Sequence, residues 1–272
     1  MPASPAGTGQ RRWALITGAS SGIGRELATL CAADGHSVVL VARRSGLLES
    51  LAAELAARYR VETCAIPLDL RDRAAVEELT RALERRAIVP SILINNAGVG
   101  LFGLHADVAL EDELGLVDLN IASVVALTKR LLPGLRALGQ GRIMNVASIA
   151  SFVPGPYMAV YYATKAFVLS YSEALAYELA GSGVTVTALC PGPTASEFQA
   201  RAGVGHSVGR SLVRMARADA VARSGYRAMQ AGRRVVVPGF ANRVMVAMLR
   251  ILPRRLVTAA VAAMSRPGRT AH

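Results

Sequence analysis

Lysine is nearly missing from this chain: of its 31 lysine and arginine residues, only Lys129 and Lys165 are lysine. Cysteine is scarce too. Cys31, Cys64 and Cys190 stand far apart, with no CxxC and no His/Cys spacing of a metal site. A disulfide framework and a structural zinc are therefore not expected, and a reducing cytoplasm is the expected setting. Aromatic residues make up 5% of the chain. The arginines are spread along it without interleaved rings on which bases could stack, so the net charge of +12 is not read as nucleic-acid binding. No apolar run approaches the roughly 18–20 residues of a membrane span. The opening MPASPAGTGQRRW lacks the apolar core of a signal peptide, and residues 1–11 read as a disordered lead-in. A linker rich in Pro, Gly and Ser is also missing from mid-chain, as are internal repeats, which leaves one domain over 12–239.

What is present is alternation. Short β-branched runs at 13–17, 37–42, 62–66, 91–95, 142–147, 184–190 and 233–238 read as strands. Between them, 22–34, 45–59, 71–86, 118–138, 158–180 and 217–231 read as helices. Several strands are apolar throughout, as when helices cover both sheet faces. Strand and helix in strict turn predict an α/β fold of the Rossmann type, a doubly wound, parallel, seven-stranded sheet. In such a fold ligands bind beyond the C-terminal strand ends, at the point where strand order reverses.

The residues after each strand carry the chemistry. TGASSGIG follows the first, with Gly18, Gly22 and Gly24 spaced GxxxGxG before a helix. Glycines there allow positive φ and let a pyrophosphate approach the backbone, where a helix N-terminus offers N–H donors. The second strand ends in Ala42, Arg43 and Arg44. A carboxylate for a ribose 2′-hydroxyl is missing, and two guanidinium groups suited to a 2′-phosphate stand in its place, so NADP(H) is expected over NAD(H). Asp69 after the third strand accepts from an adenine amino group or caps the next helix. After the fourth, Asn95 and Asn96 bridge strand ends and Gly98 leaves room for a cofactor.

The lysine at 165 stands four residues after Tyr161. On a helix the two share one face, about 5–6 Å apart at Cβ. A phenol titrates near 10, and an adjacent ammonium lowers that value. Lowering it by about 3 units needs roughly 4 kcal/mol, part of which a cationic nicotinamide could supply. Tyr157 and Tyr162 lie close by, so the lysine is what singles out Tyr161. Ser148, at the end of the fifth strand, is placed to hold a carbonyl oxygen, or else serves as an ordinary cap.

Together these motifs resemble the short-chain dehydrogenase/reductase family, from Trp13 to about Gly239: TGxxxGxG at 17–24, NNAG at 95–98, Asn120 in DLNIAS, Ser148, and YxxxK at 161–165. The resemblance implies that Tyr161 is the general acid/base, that Ser148 holds the substrate oxygen, that Lys165 tunes Tyr161 and binds the nicotinamide ribose, and that Asn120 positions a water in a proton relay. It implies hydride transfer without a metal, between nicotinamide and a small-molecule ketone or secondary alcohol. The cofactor set it implies is Gly18, Ser20, Ser21, Gly22, Ile23, Gly24, Arg43, Arg44, Asp69, Leu70, Asn96, Ala97, Gly98, Tyr161, Lys165, Pro191, Gly192, Thr194 and Ser196. A homodimer or homotetramer is expected by analogy. The competing class is a catalytically silent dinucleotide-binding sensor or scaffold, which would be expected to lose one of Ser148, Tyr161 or Lys165.

Two regions set further expectations. The loop at about 193–216 carries Phe198, Val204, Val208, Leu212 and Met215, which points to a lipid, steroid or acyl substrate. The tail at 240–272 resembles that of a subgroup with a helical C-terminus. Its Arg243, Arg250 and Arg254 fall on one helical face, and Pro253 is expected to break the helix. Such a basic amphipathic tail can lie on an anionic membrane as a peripheral contact, cover the substrate pocket, or pack on the body with a solvated arginine face.

Overall fold

Strands form where the apolar runs can bury both faces. The structure is a computed structural model of the chain and describes residues 12–198, 202, 215–249 and 251–266. The expected lead-in, Arg250, and Val204, Val208 and Leu212 lie outside the described residues. In chain order the elements are β1 (Trp13–Thr17), α1 (Gly22–Ala33), β2 (Ser37–Ala42), α2 (Ser45–Tyr59), β3 (Thr63–Pro67), α3 (Arg73–Arg85), β4 (Pro90–Asn95) and α4 (Leu110–Val117). A π-helical turn (Asp118–Ala122) leads into α5 (Ser123–Ala137), followed by β5 (Arg142–Val146), a 3-10 turn (Ile149–Phe152), α6 (Ala159–Glu178) and β6 (Thr185–Leu189). Then come β7 (Thr194–Ala195), β8 (Ala216–Arg217), α7 (Ala218–Gln230), β9 (Val235–Val236), α8 (Phe240–Leu249) and α9 (Arg254–Ser265).

The main sheet is parallel and seven-stranded, in the order β3-β2-β1-β4-β5-β6-β9. Successive strand side chains point to opposite faces, and both faces are packed. Ile16, Leu40 and Ile94 meet α1, α2 and α7 through Leu27, Leu48 and Met229. Their neighbours Leu15, Val39 and Leu93 meet α3, α5 and α6 through Leu79, Leu127 and Leu175. That double covering is why the strands read as apolar throughout. Tyr226 of α7 donates to Asp34 at the end of α1 (2.8 Å), locking the two helices together.

Several boundaries differ from the sequence reading. Helix α3 starts at Arg73, not Arg71, because Asp72 accepts from the Ala74 amide (2.8 Å) and is its N-cap. Helix α4 was not anticipated; its first turn carries Glu111, Asp112 and Glu113, which suit the positive end of a helix. The last main-sheet strand keeps only Val235 and Val236 of the predicted 233–238. The β7–β8 pair, two residues each, is too short to leave a periodicity. The tail is broken at Pro253, as expected, into α8 and α9.

Candidate active site

Strand order reverses between β1 and β4, and the C-terminal ends of these strands open onto a cavity of about 380 Å³. Gly18 turns the chain there at φ +66°, and a Cβ on it would lie 2.7 Å from Asn96 Nδ2. Asn96 bridges strand ends, donating from that nitrogen to the carbonyls of Thr17 (2.9 Å) and Gly18 (3.2 Å). Thr17 Oγ1 accepts from the amides of Asn96 and Ala97, both at 3.0 Å. Asn95 donates to Asn145 (2.9 Å), tying β4 to β5. Helix α1 begins at Gly22, and the Ser21 side chain gives it no cap. Its first-turn amides therefore face the cavity, which Ser20, Ser21, Gly22 and Ile23 line. A glycine cradle at an uncapped helix N-terminus fits a dinucleotide pyrophosphate. Gly24 sits behind the lining, packed so closely on the Gly18 carbonyl and Asn96 that no side chain fits.

Arg43, Arg44, Asp69 and Leu70 form the far wall of the same cavity. Arg44 pairs with both carboxylate oxygens of Glu197 (2.9 and 3.3 Å) and donates to Ser20 Oγ (3.0 Å). Asp69 is not a helix cap. Its carboxylate accepts from the Arg71 amide (3.1 Å) and pairs with the Arg71 guanidinium (2.6 Å), with Arg43 at 3.8 Å.

Ser148, Tyr161 and Lys165 meet at the near end. Ser148 follows β5 and accepts from the Ala150 amide (3.1 Å) as the cap of the 3-10 turn. It also hydrogen-bonds the Tyr161 phenol, so the cap and site readings hold together. Tyr161 and Lys165 are buried on α6. Burial pushes the phenol up to about 12 against the opposing pull of the Ser148 hydrogen bond. Burial likewise pushes Lys165 down to about 8. The sequence argument had the ammonium lowering the phenol. In this geometry burial wins, because Lys165 Nζ donates to the Val146 carbonyl (2.9 Å) and stands 6.0 Å from the Tyr161 ring centre.

Asn120 does not line the cavity. It lies on the π-helical turn, where its amide brackets Val99, accepting from the amide (3.1 Å) and donating to the carbonyl (3.0 Å), and it also donates to Thr164 (3.0 Å). Gly98 keeps the space between Asn120 and Lys165 open: a Cβ there would lie 3.2 Å from both Oδ1 and Nζ. Ala97, Gly98, Pro191, Gly192, Thr194 and Ser196 all face the cavity, and Thr194 donates to the Gly192 carbonyl (2.9 Å).

Several lining residues were not among the predicted catalytic and cofactor residues, and three of them shape the wall beside Tyr161 and Arg44. Glu197 and Phe198 sit just past the PTAS turn, and Met158 lies before α6. The Phe198 ring centre is 5.4 Å from that of Tyr161, and Tyr162 meets the same ring edge-on at 5.8 Å. Phe198 was visible as an apolar loop residue, but no spacing rule ties it to Tyr161. Among the described residues, no group of three or more His, Cys, Asp or Glu is placed to hold a metal, and no helix is long and apolar enough to cross a membrane.

This geometry has known counterparts. The model of the short chain dehydrogenase family matches residues 12–205. The chain belongs to that family. This short chain dehydrogenase is 41% identical to sulfoacetaldehyde reductase 2 of Chromohalobacter salexigens over 186 residues, 68% of this chain and 73% of the relative. It is also similar to a short-chain dehydrogenase from Sphingobium yanoikuyae solved in complex with NADPH, with a TM-score of 0.80 and 32% identity over 96% of this chain and 98% of that one. A family member from Burkholderia phymatum in complex with NAD has a TM-score of 0.77 and 26% identity, over 88% of this chain and 92% of that one. As a short chain dehydrogenase, the chain is an NAD(P)-dependent oxidoreductase of C=O and CH–OH groups.

Proposed function

We propose that the chain is an NADP(H)-dependent reductase of apolar ketones, with Tyr161 as the proton donor. The observation that carries this reading is the convergence of Ser148, Tyr161 and Lys165 on one cavity with the glycine turn and the two arginines. When bound, the dinucleotide supplies the hydride that reduces the carbonyl carbon.

The chain's own groups handle the oxygen and its proton. Tyr161, held near 12 by burial, stays protonated at neutral pH and is ready to donate to a developing alkoxide, which favours reduction. Ser148, already bonded to that phenol, holds the same oxygen in line. Lys165 would hold a ribose hydroxyl of the bound cofactor and would replenish the proton, with Asn120, on the other side of the space Gly98 leaves open, orienting that route. Arg43 and Arg44 receive the 2′-phosphate, for which Glu197 must release Arg44.

The apolar preference rests on the wall beside Tyr161. Met158, Tyr162 and Phe198 pack around it.

The test is a fluorescence titration with NADPH and with NADH, on the wild type and on Arg43→Ala and Arg44→Ala, followed by a ketone screen. NADPH binding that weakens in the variants while NADH binding does not supports the phosphate reading. Equal affinity for both cofactors would overturn the preference, and absence of binding to either would overturn the enzyme reading.

A further inference from the structure

Positive charge is concentrated at one end of this chain. After Asp219 the sequence contains ten arginines and no Asp, Glu or Lys, so ten of the twelve net charges fall in its last fifth. The tail that carries many of them is poorly covered. Helices α8 and α9 each bury a single residue, Val246 and Val257, while large apolar side chains stand in solvent. Phe240 and Met248 are 75% and 54% exposed, Val244 lies between them on the same stripe, and Ile251 at the corner between the helices is 85% exposed. Leu252 and Leu256 continue the patch onto α9.

Arginines are set among these side chains. Arg243 lies 5.8 Å from the Phe240 ring centre. Arg254 and Arg255 open α9, with no acidic residue in its first turn. Cations at the positive end of a helix repel it, and an anionic surface relieves that repulsion.

We propose that the tail formed by α8 and α9 docks the protein onto a lipid bilayer carrying anionic phospholipids. Protruding apolar side chains at a corner insert between headgroups, whereas a protein partner would need a matching pocket for each. Interspersed arginines match the negative leaflet, and each is worth roughly fivefold in partitioning. A second copy of the chain is a poor occupant, because a two-fold contact sets the same cationic face against itself. Docking also suits the reading given above: Asn242 of α8 closes over Gly192 on the wall of the cofactor cavity, so a bilayer under the tail lies beside the entrance for an apolar ketone.

The experiment is sedimentation of the full chain with vesicles of phosphatidylcholine alone and of phosphatidylcholine mixed with phosphatidylglycerol, at low and high salt. It is repeated on Ile251→Ser/Leu252→Ser and on Arg254→Gln/Arg255→Gln, all exposed positions outside the cofactor cavity. The wild type should bind the mixed vesicles at least tenfold better than the neutral ones and lose that preference in high salt. Each double variant should bind at least fivefold less while its NADPH affinity stays unchanged. Equal binding to both vesicles, no binding, or undiminished binding by both variants would overturn the proposal. So would a smaller light-scattering mass for either variant, which would make the patch an interface between copies. Because vesicle binding is read without turnover, it stands or falls separately from the reductase reading.

Discussion

A buried phenol and a buried ammonium in one cavity pull the acid–base chemistry in opposite directions. Tyr161 titrates late and Lys165 early because each is more easily kept neutral away from water. Removing the phenolic oxygen should therefore remove the proton donor and little else. We expect Tyr161→Phe to lower turnover by about 10²–10⁴-fold with NADPH affinity intact, read by ketone reduction alongside fluorescence titration. The lysine also sets a stability profile. Its folded value of about 8 lies below the ordinary 10.5, so between these values the unfolded chain binds more protons and stability rises with pH. Tyr161 acts oppositely above about 10, where the unfolded chain loses protons that the folded one keeps. Burial also raises the thiols of Cys31, Cys64 and Cys190, which oppose the lysine from about pH 9, so its contribution is read as a difference: between pH 8 and 10 the urea midpoint of the wild type should rise relative to that of Lys165→Met. The pairing of Tyr161 with Lys165 was legible from spacing alone. Their titration was not, because burial is a property of the neighbours that α6 packs against.

At the scale of elements, the sequence placed the glycine turn and the strands well and the connections poorly. Asp69 was read from the sequence as an adenine contact or as the cap of the next helix; the geometry gives that cap to Asp72, which was not considered. Asp72→Ala should cost about 1 kcal/mol, measured by urea unfolding, with cofactor affinity unchanged. Helix α4 was hidden because the acidic run at 111–113 has no long apolar face, whereas the π-helical turn at Asn120 falls inside the helix read at 118–138. The Arg44–Glu197 pair joins β2's end to the segment after β6 across 153 residues, a contact no local pattern reveals. Both groups are partly exposed, so the pair is worth at most about 1 kcal/mol. Glu197→Gln should then tighten NADPH binding by up to about fivefold, with NADH binding unmoved, in parallel titrations.

The whole molecule is arranged around the cofactor cavity, since β1, β4 and β5 end there, α1 and α6 begin there, and the segment after β6 lines it. Ligand binding should therefore be felt as global stability. At about a hundredfold over its dissociation constant, NADPH should add roughly 2.7 kcal/mol, seen as a higher melting temperature. Gly24→Ala should abolish that increment, because the added methyl would displace the Gly18 carbonyl from the cradle.

By itself, the sequence determined the order of strands and helices, the parallel sheet with both faces covered, and the motifs that face one edge of it. These follow from periodicity, from glycine's access to positive φ, and from residue types at fixed local spacing. Only the tertiary structure decided that Asp72 caps α3, that burial outweighs the lysine at Tyr161, that Glu197 holds Arg44, and that the tail leaves its apolar stripe uncovered. Each of those depends on atoms far apart in the chain, and on how much water the packing between them excludes.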